Sequence, residues 1–285
     1  MFRVIVDDDV EKVNRKIGDA IRNGCVNYKL LEKIGYGVAG DVYKIKSSSD
    51  NIYALKIIPK NNLFRSYGKI NKSKVERVER EIEIHGKLNH PNIVKLYWPF
   101  QDYNAIYLKL ELMPYSLDKL IKTEYINEND SVIIITSVTK ALLFLKGNLI
   151  IHCDIKPGNI LINNNGDVKI CDFGLSEVLP DKNSRVPRFC GTPNYISPEL
   201  LTSTISFETD IWSLGSVFYL LLFGKCPFQR SDVKQTYRAI KNDPLFIPEI
   251  SNLKIREVLV GMLNKNPLER ISHETVLSYL NSYSS

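Results

Sequence analysis

The feature that most constrains this chain is a polar cluster that directly follows an apolar segment, in residues 151–159. Asp154, Lys156 and Asn159 bring a carboxylate, an ammonium group and a carboxamide together within six residues. Asp154 can accept a proton from an attacking hydroxyl group, and Lys156 can neutralise a negatively charged oxygen. Asn159 can bind a divalent metal ion through its carbonyl oxygen. Asp172, which opens an Asp-Phe-Gly tripeptide, offers a second metal-binding oxygen, and this set of groups is suited to phosphoryl transfer.

A glycine-rich segment lies upstream, after a predicted strand over residues 28–34. Glycines let the backbone close over phosphates and present N–H groups to them. A lone Gly-x-Gly-x-x-Gly motif also occurs in dinucleotide sites and in plain turns. Residues 42–45 are predicted to form a strand rather than the helix of a dinucleotide-binding fold, which favours a kinase-type loop. The segment consists of Ile34, Gly35, Tyr36, Gly37, Val38, Ala39, Gly40, Asp41 and Val42.

Lys56 lies within an apolar predicted strand, where a charged group is costly unless it is paired. Alone, it would be interpreted as an edge lysine with its ammonium group in water. Its position after the glycine-rich segment favours a phosphate-binding lysine instead. A helix predicted over residues 74–88 supplies the expected partner, Glu81, with Glu79 and Glu83 as neighbouring candidates.

In this order and spacing, the motifs resemble those of eukaryotic serine/threonine protein kinases over about residues 28–280. The resemblance implies a two-lobed α+β fold. The small lobe would hold a five-stranded antiparallel sheet and one main helix, and the large lobe would be mostly helical. The expected division is an N-terminal extension over residues 1–27 and a kinase domain over 28–285, with lobes at 28–111 and 112–285.

The resemblance also implies ATP and Mg²⁺ as cofactors, protein substrates, and roles for individual residues. The catalytic set is Asp154, Lys156, Lys56 and Glu81, and the metal ligands are Asn159 and Asp172. The adenine pocket is expected to contain Ala54, Leu110, Glu111, Met113 and Leu161, with Leu110 as gatekeeper and Glu111 and Met113 in the hinge. Asp210 is expected to anchor the catalytic loop, and Arg270 to pair with Glu199.

The similarity is greatest to the polo-like kinase family in three stretches: residues 190–200, 210–228 and 234–241. The sequence of the first stretch is most like the centriole-duplication branch of that family. Aurora-type and calmodulin-kinase-like kinases are the neighbouring alternatives. The chain has no room for polo boxes after the catalytic domain, so the targeting used by that family is not assumed.

Two departures from the kinase pattern concern regulation. Cys153 stands where the catalytic loop usually has the arginine that receives the activation-segment phosphate, and Arg188 stands where polo-like kinases have the phosphorylated threonine. We therefore hypothesise that the activation segment is held without phosphorylation, by Arg188 meeting an acidic group. Gly158 and Ser116 stand where kinases that select upstream arginine usually carry acids, which favours acidic or neutral target sites.

Composition limits the remaining choices. The five cysteines are scattered without a Cys-x-x-Cys motif, which indicates free thiols in a reducing, intracellular compartment, cytoplasmic or nuclear. The net charge of +6 is too mild to indicate nucleic-acid binding, and no apolar run spans a membrane. We expect a monomer.

Residues 2–6 are predicted to form a short strand and 10–21 a helix, which packs on its own domain or, as the alternative, binds a regulatory partner. A scaffolding pseudokinase and a small-molecule kinase are the competing functions.

Overall fold

The protein is described here from a computed structural model, which describes residues 2–6, 15–24, 26–37, 40–64, 69–249 and 252–282. The chain divides into two compact units. Unit 1 comprises residues 1–89 and 94–114, and unit 2 comprises residues 90–93 and 115–285. The chain thus passes from unit 1 to unit 2 for the last time after residue 114, and the lobe boundary was predicted after residue 111.

Six strands of unit 1 form one antiparallel sheet: β1 (Ala20–Asn23), β2 (Val26–Tyr36), β3 (Asp41–Ser47), β4 (Ile52–Pro59), β5 (Leu96–Gln101) and β6 (Ala105–Leu110). Their order across the sheet is β1-β2-β3-β4-β6-β5. Helix α1 (Lys72–Gly86) separates β4 from β5 in the chain, and its N-terminus is capped by Asn71, whose side chain accepts from the Lys74 N–H. The sequence predicts five strands in this sheet, and β2 to β6 are five, although β5 begins at Leu96 and extends to Gln101 whereas the strand was predicted over residues 93–97.

The sixth strand, β1, corrects the prediction of a helix in the N-terminal extension. Ala20 and Ile21 form strand pairs with Lys29 and Tyr28, respectively. Ile21 is buried in the sheet core whereas Ile17 is exposed, so the apolar residues of this segment do not share one helical stripe. The exposed edge of β2 offers backbone partners to the segment, and this non-local pairing outweighs a short helical pattern.

Two predictions for the extension have other outcomes. Val10 and Val13, the first positions of the predicted helix, lie outside the described residues. The prediction of a strand over residues 2–6 is wrong: these residues pair with no strand in the described part of the chain, and they contact the rest of unit 1 through side chains and hydrogen bonds.

The two faces of the sheet are buried against different partners. One face carries an apolar cluster that includes Ile21, Tyr28 and Leu55. The other face is covered by α1, whose Val78 and Ile82 pack against strand residues. Alternation along each strand decides which side chains face α1, since successive residues point to opposite faces.

Unit 2 is mostly helical in its described part. Its helices are α2 (Leu117–Thr123), α3 (Glu128–Gly147), α4 (Phe207–Phe223), α5 (Val233–Asn242), α6 (Leu253–Met262) and α7 (His273–Asn281). Short strands connect them: β7 (Tyr115–Ser116), β8 (Ile150–Ile151), β9 (Ile160–Ile162), β10 (Val168–Ile170), β11 (Glu177–Val178), β12 (Val186–Pro187) and β13 (Thr204–Ile205). Strand β9 pairs with β7 and β10, β8 pairs with β11, and β12 pairs with β13.

Helices α3 and α4 form the centre of unit 2. Residues 132–139 are rich in β-branched side chains, yet they lie within α3, because burial on this helix outweighs their local preference for strand. Asn127 caps the N-terminus of α3 by accepting from the Asp130 N–H. Helix α4 is almost wholly buried and ends at Gly224, whose φ of 71° suits glycine. Within the described residues, no helix is long and apolar enough to span a bilayer.

Candidate active site

Three polar side chains of unit 2 surround the carboxylate of Asp154, which lies on the catalytic loop between β8 and β9. Lys156 Nζ lies 2.7 Å from Asp154 Oδ2, and Asn159 Nδ2 donates to the same oxygen at 3.1 Å. Thr192 Oγ1 donates to Asp154 Oδ1 at 2.8 Å and lies 3.1 Å from Lys156 Nζ. The buried Asp154 is therefore held in one orientation, and Thr192 shows that a hydroxyl group can approach its carboxylate and donate to it.

Asp210, on α4, fixes the backbone of this loop. Its carboxylate accepts from the N–H groups of His152 at 2.7 Å and of Cys153 at 2.9 Å. Burial raises the pKa of Asp210, while the two backbone donors favour its charged form. Cys153 has a φ of 66°, so the chain turns sharply just before Asp154. The expected structural anchor between Asp210 and the loop is thus confirmed.

The two predicted metal ligands lie on neighbouring segments of unit 2. The Cys171 N–H donates to the Asn159 carbonyl at 3.0 Å, which places the residue next to Asp172 against Asn159. Asp172 has a φ of 66°, so the left-handed conformation falls on this residue rather than on the following Gly174. The side-chain nitrogen of Asn159 donates to Asp154, so the side-chain oxygen of Asn159 is the group that could bind a metal.

A carboxamide oxygen beside a carboxylate fits Mg²⁺, which prefers oxygen ligands and is usually held by one or two protein groups together with phosphate and water. Among the described residues, no cluster of three or more His, Cys, Asp or Glu side chains could hold a metal ion by itself. A Mg²⁺ ion held by Asn159 and Asp172 would take its remaining oxygen ligands from phosphate and water.

In unit 1, the structure decides which glutamate of α1 pairs with Lys56. Lys56 Nζ lies 2.6 Å from Glu81 Oε1, and both side chains are buried. Glu83 pairs with Lys87 on the surface at 2.9 Å, and Glu79 accepts from the Val4 N–H at 2.8 Å. The predicted Lys56–Glu81 ion pair is present.

The predicted nucleotide-binding side chains of unit 1 share the sheet face that is covered by α1. Val42 pairs with Lys56 across β3 and β4, and Ala54 pairs with Leu110 across β4 and β6. Gly40 is required by packing, because a Cβ there would stand 2.0 Å from the Ile57 carbonyl oxygen. Val38 and Ala39, at the tip of the glycine-rich segment, lie outside the described residues.

The remaining predicted positions are distributed over both units. In unit 1, Ile34, Gly35 and Tyr36 end β2 and Gly37 follows it. Asp41 opens β3 and pairs with Lys33 at 2.7 Å. The Glu111 N–H donates to the Lys95 carbonyl at 2.9 Å, and Met113 is buried. In unit 2, Leu161 lies half-buried on β9.

An ion pair holds the activation segment. The sequence predicted one of its partners, Arg188, but not the acid. Arg188 pairs with Glu177, and both side chains are mostly buried. Glu177 lies on β11 opposite Ile151 of β8, directly before the catalytic loop. The hydrogen bond with Cys190 and burial raise the pKa of the Cys153 thiol, and the charge of Arg188 acts in the opposite direction. A guanidinium group thus approaches the loop from the activation segment, whereas kinases usually supply it from the loop itself.

Three further contacts bear on the sequence predictions. Arg270 forms a bidentate pair with Glu199 at 2.6 and 2.9 Å, as expected. Glu177 was missed because no local pattern marks an acid that becomes a partner through strand pairing. The sequence also did not indicate that Asp118 lies near Gly158. The Asp118 carboxyl carbon would stand 3.9 Å from a Cβ on Gly158, so an acid lies close to a position that itself carries none.

Comparison with known proteins gives the class of the chain. Residues 28–280 match the family model described as protein kinase domain. The chain is 37% identical, over 88% of its length, to a probable cell cycle serine/threonine-protein kinase CDC5 homolog of Encephalitozoon cuniculi and to the serine/threonine-protein kinase polo of Drosophila melanogaster. It is 36% identical over 88% of its length to the serine/threonine-protein kinase PLK4 of Drosophila virilis. These matches cover 54%, 43% and 32% of the relatives, so the chain spans about half or less of their length.

The chain belongs to the protein kinase family, whose members use ATP and Mg²⁺. The predicted resemblance to the polo-like branch is confirmed by these relatives, and the predicted kinase fold is confirmed, with β1 as one strand more than expected.

Proposed function

We propose that this chain is a serine/threonine protein kinase that transfers the γ-phosphate of ATP to Ser or Thr hydroxyls of protein substrates. The observation that carries the proposal is the Asp154 carboxylate, which is oriented by Lys156 and Asn159 and accepts the hydrogen bond of the Thr192 hydroxyl. A substrate hydroxyl would donate to the same carboxylate and lose its proton to it as the new P–O bond forms, while the bond from the γ-phosphorus to the β–γ bridging oxygen breaks and ADP leaves.

The other residues divide the work of binding and charge neutralisation. Lys56, fixed by Glu81, would hold the α- and β-phosphates, and the backbone of the glycine-rich segment would cover them. Asn159 and Asp172 would hold Mg²⁺, which when bound neutralises phosphate charge. Lys156 would neutralise the charge that develops on the transferred group, because its ammonium already lies beside the carboxylate that receives the proton.

The test is transfer of labelled phosphate from ATP and Mg²⁺ to casein and to the protein itself. Asp154→Asn should lower kcat by about 10²–10⁴-fold, the usual contribution of a positioned general base. Asp243→Asn is the matched control, because Asp243 lies exposed in a surface ion pair and should keep full activity. Equal activity of wild type and Asp154→Asn would refute the proposal.

We further propose that the kinase is active without phosphorylation of the activation segment. Two observations support this. Arg188 occupies the position of the usual phosphorylated threonine and pairs with Glu177. The Arg188 backbone N–H also donates to the Ser203 carbonyl at 2.9 Å, beside the β12–β13 pair. The activation segment, residues 175–192, is therefore linked at Glu177 to the strand before the catalytic loop and at Arg188 to Ser203, which lies beyond the end of the segment.

Phosphatase-treated protein from bacteria should transfer phosphate as fast as untreated protein. Glu177→Arg and Arg188→Glu should each lower kcat, while the double variant should recover activity because the charge pair is restored in reverse. Ser184→Ala should have no effect, since the Ser184 hydroxyl donates to the Asp181 carboxylate and accepts from the Asp181 N–H within one exposed turn. Loss of activity on phosphatase treatment would contradict the proposal.

We propose, as the finer point on substrates, that acidic or neutral target sites are preferred. Gly158 and Ser116 offer no carboxylate, and the chain carries a net charge of +6. Asp118 is the carboxylate near Gly158 that would favour a basic residue instead, and it therefore gives the sharpest test. A peptide library should show weak selection for upstream arginine in both wild type and Asp118→Asn. Strong arginine selection that disappears in Asp118→Asn would overturn the proposal.

We propose that the chain acts as an intracellular monomer, in cytoplasm or nucleus, without binding nucleic acid or membranes. All four cysteines in the described residues are free thiols, in keeping with a reducing compartment. Light scattering coupled to gel filtration should give the mass of one chain, 32.6 kDa, and a mass of about twice that value would refute the monomer.

A further inference from the structure

Residues 2–6, which we call the N-terminal strap, lie on unit 1 next to the helix that carries Glu81. Their exposure alternates: Phe2, Val4 and Val6 are half-buried, whereas Arg3 and Ile5 are exposed. The three half-buried side chains pack against the apolar cluster beneath α1. The strap therefore has one face toward unit 1 and one face toward solvent, as expected for an extended segment.

The apolar cluster under the strap belongs to both α1 and the sheet. Val78 and Ile82 come from α1, and Leu96 comes from β5. The strap side chains thus extend the contact by which α1 is held against the sheet. Removing them would expose part of this apolar surface to water and weaken the hold on the helix.

Hydrogen bonds fix the strap to the helix and to the sheet separately. The Val4 N–H donates to Glu79 Oε1 at 2.8 Å, and Glu79 lies on α1 two residues before Glu81. On the sheet side, the Gln101 amide of β5 donates to the Arg3 carbonyl at 2.7 Å and accepts from the Ile5 N–H at 3.0 Å. The strap therefore bridges α1 and β5 through its own backbone.

We propose that the N-terminal strap is a built-in positioning element that holds α1 where Glu81 meets Lys56. The proposal deepens the proposed kinase function and rests on it. Lys56 and Glu81 are 25 positions apart in the chain and lie 2.6 Å from each other only because α1 is seated on the sheet. A shift of α1 by about 1 Å would be enough to misplace the phosphate-binding lysine, and shifts of that size can cost about 10²-fold in rate.

The alternation of the strap provides a matched pair of variants in the full chain. Val4→Asp places a charge on the buried face and should lower kcat/KM for ATP by about 10- to 100-fold. Ile5→Asp makes the same change one residue away on the exposed face and should stay within about twofold of wild type. Equal losses in the two variants would overturn the proposal.

A second measurement separates positioning from a general loss of stability. If the strap acts through Glu81, Val4→Asp should have little further effect in a Glu81→Gln background, because the pair that it supports is already broken. An undiminished effect in that background would show that the strap acts elsewhere and would refute the assignment.

Rescue in trans decides the matter if Val4→Asp does not fold. A chain that lacks residues 1–6 should regain activity when a synthetic peptide of residues 1–8 is added, and a peptide with Val4→Asp should not restore it. Absence of rescue by the native peptide would overturn the proposal. Fluorescence anisotropy of the labelled peptide measures its binding independently of catalysis. If the peptide binds but the wild-type chain itself transfers no phosphate, the proposed kinase function is wrong and the role of the strap is not.

Discussion

Replacing Arg270 with methionine should destabilise unit 2 far more than the same change at a surface arginine. Arg270 is fully buried, and its partner Glu199 is 9% exposed. Burial raises the pKa of Glu199, but the hydrogen bond and charge of Arg270 lower it below the usual value. Without Arg270, Glu199 is left as a buried charge that has lost its cation, which costs about 3–5 kcal/mol. Arg230, which pairs with Asp243 at exposures of 42% and 44%, should cost about 0.2–1 kcal/mol when replaced by methionine.

The two tryptophans make this measurable for unit 2 alone. Trp98 lies on β5 of unit 1 and Trp212 on α4 of unit 2. In a Trp98→Phe background, fluorescence-detected thermal unfolding therefore reports only unit 2. At about 2–4 °C per kcal/mol for a unit of this size, Arg270→Met should lower the midpoint by about 6–20 °C, and Arg230→Met by less than about 4 °C.

A compensating variant tests the physical cause. Adding Glu199→Gln to Arg270→Met removes the uncompensated charge and should restore part of the lost stability, although the amide stays imperfectly bonded. If Arg270→Met and Arg230→Met shift the midpoint equally, or if Glu199→Gln makes Arg270→Met worse, the burial argument is wrong.

Three further outcomes are expected. Burial lowers the pKa of His273 to about 3. As the pH falls below about 6.5, His273 therefore binds a proton in the unfolded chain but not in the folded chain. The free energy of unfolding should then drop by up to about 1.4 kcal/mol per pH unit, and this slope should be smaller in His273→Asn. Gly40→Ala should destabilise unit 1 because its Cβ would meet backbone, whereas Gly86→Ala, with open space on α1, should stabilise it by about 0.5–1 kcal/mol in urea titrations. Asp210→Ala should leave two backbone N–H groups without their acceptor and lower kcat at least about tenfold, whereas full activity would contradict the anchoring role.

The arrangement of the candidate catalytic loop could be predicted from the sequence because it depends on residue types at short spacings. Asp154, Lys156 and Asn159 lie on one loop, so their proximity follows almost directly from their order. The strands around Lys56 and the helix around Glu81 were also predictable, since their apolar periods are regular. The resemblance to kinases then indicated which distant motifs belong together, as Arg270 and Glu199 show.

The N-terminal extension was predicted less well. Its apolar residues fit a short helical pattern, but Ala20–Asn23 joined the open edge of β2 as a strand. A short segment has weak local preference, so an available backbone partner decides its conformation. The strap over residues 2–6 depends in the same way on Glu79 and Gln101, which are distant in sequence.

By itself, the sequence determined the protein kinase class of the chain and predicted the residues that we propose carry the chemistry, because phosphoryl transfer requires particular groups in a particular order. The resemblance to kinases favoured Glu81 as the partner of Lys56, and the tertiary structure decided for it over Glu79 and Glu83. The structure alone decided that Glu177 is the acid that meets Arg188. Both choices depend on how a helix is seated and on which strands pair. Those contacts join residues far apart in the chain, and local sequence preferences do not specify them.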